Sequence, residues 1–90
     1  MLIELKVQVR NSEGFHLRPI TKLAQLARNF DGDITLYYKE NQASAKSIMS
    51  MMSLAIPCGE EILFHIQGKE AQQIVEAIID VFLPQPREEW

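Results

Sequence analysis

The sequence predicts an α+β fold: a two-layer, open-faced sandwich in which a four-stranded antiparallel sheet is covered on one face by three helices, in the order β-α-β-β-α-β-α. Two observations carry this prediction. Each strand-like segment alternates apolar and polar residues, so it has one face to bury and one to leave wet, as in a sheet covered on one side only. Between these segments lie others whose apolar residues recur at i, i+3, i+4 and i+7, the spacing of one helix face. Ninety residues suffice for one such domain with a modest core.

Ile3, Leu5, Val7 and Val9 alternate with Glu4, Lys6 and Gln8 in the first strand. Asn11-Ser12-Glu13-Gly14 breaks that pattern with turn-forming residues. Ile20, Leu23, Ala24, Ala27 and Phe30 then mark a helix that runs to about Asn29, with Pro19 in its first turn and Asp31-Gly32-Asp33 closing it. Ile34, Leu36 and Tyr38 face inward from the second strand, and Lys39-Glu40-Asn41 reads as a hairpin turn into a short third strand near residues 42–45. Ser47 stands at the N-cap of a short helix with Ile48, Met51, Met52 and Ala55 on one face, ended by Pro57 and Gly59. Ile62, Phe64 and Ile66 alternate with Leu63, His65 and Gln67 in the fourth strand. Ala71, Ile74, Val75, Ile78 and Phe82 line one face of the last helix, from Glu70 to about Leu83. Pro84 and Pro86 stop it, which divides the chain into a domain over residues 1–84 and a polar tail over 85–90.

Composition excludes several classes of function. Hydrophobic content of 47% with 23% charged residues is that of a folded globular chain. A net charge of −3 offers no basic stripe for nucleic acid or for an anionic membrane surface. Cys58 is the one cysteine, so no intramolecular disulfide forms, and no Cys/His spacing suits a metal. The N-terminus alternates where a secretory signal would be continuously apolar, and no apolar run reaches about 18 residues, so a cytoplasmic protein without a membrane span is expected. A monomer is expected as well.

The chemistry is concentrated in Gly14-Phe15-His16-Leu17-Arg18-Pro19. Histidine supplies a neutral, nucleophilic ring near neutral pH. His16 falls at or beside the N-cap, which puts the amides of Leu17 and Arg18 in the first turn, where helical N–H groups lack an intrahelical acceptor and attract anions. Arg18 adds a planar, permanently charged fork able to hold two phosphate oxygens. A lone histidine before a helix is more often an ordinary solvent-facing residue, and a small domain whose His16 and Arg18 merely bind an anion is a competing reading.

This motif and the segment Lys46-Ser47-Ile48-Met49-Ser50-Met51-Met52-Ser53-Leu54, at this separation in a domain of this size, resemble the HPr family of histidine-containing phosphocarriers of the bacterial sugar phosphotransferase system. The resemblance spans about Ile3 to Phe82. It implies that His16 accepts a phosphoryl group on Nδ1 from enzyme I, charged by phosphoenolpyruvate, and passes it to a sugar-specific enzyme II A protein, with Arg18 helping to hold it. It implies a carrier with a transient phosphohistidine, not an enzyme, and no cofactor or metal. Ser47 matches the regulatory serine that a separate kinase modifies and a phosphatase would restore, while its plain structural role is an N-cap. Phe15, Ile48, Met49 and Met52 match family positions that dock partners, a transcription regulator among them. Core packing competes for Ile48 and Met52, whereas Met49 lies off the buried stripe. Leu17 and Ile20 stand where small residues are most frequent in the family, which predicts a bulkier rim to the site, and Ser50 replaces a common glycine. The alternative is a regulatory module of the same fold, in the nitrogen branch or in catabolite regulation, acting by protein binding. His65, on the polar face of its strand, is expected to be simply solvent-exposed.

Overall fold

Alternation of apolar and polar residues decides which face of each strand is buried, and antiparallel pairing aligns those faces. The computed structural model describes residues 1–83. Strands β1 (Leu2–Gln8), β2 (Gly32–Tyr38), β3 (Asn41–Ser44) and β4 (Glu61–Gly68) form one antiparallel sheet in the order β1-β4-β2-β3. Helices α1 (Leu17–Arg28), α2 (Ile48–Ser53) and α3 (Ala71–Phe82) complete the order β-α-β-β-α-β-α expected from the sequence. The register places Leu5 opposite Phe64 and Leu36 opposite Phe64 on its other side, so the apolar rows of three strands merge into one floor.

The helices lie on that floor. Val7, Val9, Ile34, Leu36, Tyr38, Ala43, Ile62, Phe64 and Ile66 from the sheet side are buried together with Ile20, Leu23, Ala24 and Ala27 of α1, Met51 of α2, and Ala71, Ile78, Val81 and Phe82 of α3. Burial of one large aliphatic side chain contributes roughly 1.5–3 kcal/mol, so this shared core supplies most of the driving force for folding. The far end of α1 is held close to the sheet because Phe30 lies over Gly32 and Gly68, which face each other in the register. A Cβ at Gly32 would stand 2.7 Å from the Phe30 ring, too close for any side chain.

The expectations for α2 and for His65 change. The face of α2 was expected to extend to Ala55, yet the helix stops at Ser53, and Ala55 is exposed in the left-handed region with φ 48°. Six residues make fewer than two turns, so the stripe is set by what each side chain meets: Met51 and Leu54 are buried and Met52 is not. His65 is not simply solvent-exposed. Its ring packs 4.5 Å from that of Tyr37, and Nε2 lies 2.8 Å from Glu4 Oε2, because the register sets β1 and β2 on either side of β4. The stop at Pro84 and Pro86, the boundary at residue 84 and the tail lie outside the described residues.

Candidate functional site

The loop between β1 and α1 is pinned from below. Gly14 closes a turn in which its N–H donates to the Asn11 carbonyl at 3.1 Å while Asn11 Nδ2 donates to the Gly14 carbonyl at 2.7 Å. Gly14 has φ 74° and is buried, and a Cβ there would come within 2.7 Å of the Ile56 carbonyl oxygen. That close approach lets the next amide, of Phe15, donate to the same carbonyl at 2.8 Å. Glycine is needed both for the left-handed backbone and for the missing side chain.

Phe15, expected on the docking surface, turns inward instead. It is only 6% exposed and stacks on Phe82 with ring centroids 5.8 Å apart. A loop residue has no periodicity to announce its direction; the last turn of α3 decides it. The ring braces the loop from beneath.

His16 is the N-cap of α1, with φ −110° and ψ −172°, and its carbonyl accepts the first helical bond from the Ile20 N–H at 3.2 Å. Its side chain makes no capping bond to the helix. Pro19 lacks an N–H, so the first turn presents the amides of Leu17 and Arg18 at the positive end of the helix dipole. Leu17, Arg18, Thr21, Lys22 and Gln25 border an open groove beside His16. Helix α1 carries Arg18, Lys22 and Arg28 and no acidic residue.

The two ring nitrogens of His16 are not equivalent. The side chain is one quarter exposed, yet Nε2 is shut off from solvent and completes no hydrogen bond among the described residues, with Glu13 Oε2 3.4 Å away. Exposure of the ring therefore falls on its other atoms. A nucleophilic imidazole beside a helix N-terminus and a guanidinium is suited to accept a phosphoryl group and to hold it loosely.

Ser47 caps α2 as expected: its Oγ accepts from the Ser50 N–H at 3.1 Å and donates to Ser50 Oγ at 2.9 Å. The residue at the position of a common glycine thus engages the hydroxyl directly. Met49 is 82% exposed and Met52 47%, while Ile48 is half-buried against the core. Leu17 is exposed but Ile20 is completely buried, so only Leu17 adds bulk to the rim. Because α1 packs directly on α2, the exposed Leu17, Met49 and Met52 belong to one pair of adjoining helices. The contact of Glu13 with His16 escaped the sequence reading; an acidic residue three positions before a candidate nucleophile was the available signal.

Comparison with known proteins adds an independent line. The family described as PTS HPr component phosphorylation site matches residues 3–83. The chain is 39% identical over 70 residues to the phosphocarrier protein HPr of Mycoplasma capricolum, covering 78% of this chain and 79% of that one. It is 35% identical over 77 residues to the HPr-like protein Crh of Bacillus subtilis, covering 86% and 91%. The crystal structure of a phosphocarrier protein HPr from Bacillus anthracis is similar with a TM-score of 0.81 and 33% identity, over 91% of this chain and 98% of the other. No helix among the described residues is long and apolar enough to cross a membrane.

Proposed function

The chain belongs to the HPr family of phosphocarriers of the phosphotransferase system, and from that premise we propose that it shuttles a phosphoryl group on His16, from phosphorylated enzyme I to enzyme II A proteins, acting as a monomer in the cytoplasm. The observation that carries the proposal is an N-cap histidine whose side chain does not cap its own helix. The ring is thereby available to an outside group at the positive end of the helix.

In the forward step Nδ1 attacks phosphorus, the bond from phosphorus to the donor breaks, and its electron pair leaves with the donor. The oxygens of the transferred group meet the amides of Leu17 and Arg18 and the Arg18 guanidinium. The second step is the same displacement with the acceptor as nucleophile. A carrier must bind the group weakly enough to release it. One exposed helix terminus contributes only about 0.3–1 kcal/mol, which suits that requirement.

Partner recognition follows from the surface around the ring. Met49 and Met52 are exposed, flexible, polarizable side chains that adapt to more than one partner. Ser47 is the second modification position in this reading, targeted by a serine kinase. A phosphate there would place about −2 charge on α2, which packs on the helix that carries Arg18.

The test is incubation of the purified protein with enzyme I and labelled phosphoenolpyruvate. Acid-labile label on the wild type and none on His16→Ala is the expected result. A wild type that takes no label while a competent control carrier does would overturn the proposal.

A further inference from the structure

The geometry points to Glu13 as a positioning residue for His16: its carboxylate selects the ring form that carries the proton on Nε2, so that Nδ1 is presented as the nucleophile. This inference rests on the phosphocarrier reading for its role in transfer, but the contact can be measured without any phosphoryl donor.

Three observations converge on it. Nε2 of His16 is removed from solvent and completes no hydrogen bond among the described residues, so it is a polar atom in need of a partner. The Glu13 carboxylate is the acceptor within reach, with Oε2 at 3.4 Å. The Asn11 to Gly14 turn is closed by two hydrogen bonds and seated on Ile56, which fixes where residue 13 stands relative to residue 16. At 3.4 Å the carboxylate faces Nε2 as a charge contact. A neutral imidazole carries one N–H and one lone pair, so a carboxylate facing Nε2 keeps the proton there and leaves the lone pair on Nδ1. As the bond from Nδ1 to phosphorus forms, the ring becomes cationic with its Nε2–H in place. The carboxylate then faces that positive charge, and no proton has to move. The donor departs with the electron pair of its broken bond.

Glu13 is exposed, so the effect is that of a solvent-screened pair. Long-range proton–nitrogen NMR of the His16 ring, on protein with its ring neutral and no donor present, reads the ratio of the two N–H forms. In Glu13→Leu the ratio of Nε2–H to Nδ1–H is expected to fall about two- to five-fold, with Glu13→Gln, which keeps an acceptor oxygen, falling less. The labelling rate of Glu13→Leu by enzyme I is expected to drop by a similar factor, and the gap from wild type to close at about 1 M salt, where the Debye length is near 3 Å. Thermal midpoints should coincide, since residue 13 makes no core contact. Ring spectra of Glu13→Leu that match those of the wild type would overturn the inference. A wild type that takes no label but shows the change in ring form would fail the phosphocarrier reading and uphold the contact.

Discussion

Two helices that pack against each other, α1 and α2, have N-termini treated in opposite ways. At α2 the N-cap Ser47 satisfies the Ser50 amide with its own hydroxyl. At α1 the N-cap His16 has equally extended backbone but offers its helix no side-chain bond. One terminus is capped by the side chain of its N-cap residue, and the other takes no hydrogen bond from its N-cap side chain. A helix end can thus serve stability or ligand capture with the same backbone, and the identity of one residue chooses between them.

The comparison can be broken most severely at the loop that holds the open terminus. Gly14→Ala forces a Cβ toward the Ile56 carbonyl in a left-handed backbone, and should lower stability by about 2–4 kcal/mol in urea unfolding. A loss below 1 kcal/mol would mean that the loop is not seated as described. Opening the satisfied terminus comes next: Ser47→Ala should cost about 1 kcal/mol in the same measurement, with labelling of His16 retained. The smallest effect has the opposite sign. His16→Ser installs a capping hydroxyl where none acts, and should raise stability by about 0.5–1 kcal/mol while abolishing the acid-labile label. If His16→Ser is instead less stable than the wild type, the ring contributes more to the loop than its lack of a capping bond implies.

Much of the fold is legible because it is periodic. Ile20, Leu23, Ala24 and Ala27 repeat at helical spacing and are all buried, and Ile62, Phe64 and Ile66 alternate and are all buried. The site motif is legible because His16, Arg18 and Pro19 announce a helix start. The failures occur where periodicity gives no information. Phe15 sits between a turn and a helix, and its burial comes from Phe82 at the other end of the chain. The direction of Met52 is settled only by what lies beneath a helix of six residues. His65 follows the outward alternation faithfully, but what it meets there depends on the register with β1 and β2, which no local pattern contains. Glu13 is visible in the sequence, yet only the closed turn brings it to His16.

The ring stack beneath the loop bears on the order in which this protein can be completed during synthesis. Phe15 rests on Phe82, and Phe82 in turn meets Phe64 edge-on at 5.9 Å. The strand that leads into the site, β1, finds its sheet partner among the described residues in β4. During synthesis the His16 motif is translated well before Phe82, the ring that supports it from beneath. The ring stack under the loop therefore cannot form until α3 has been translated and has docked, however early the loop itself emerges.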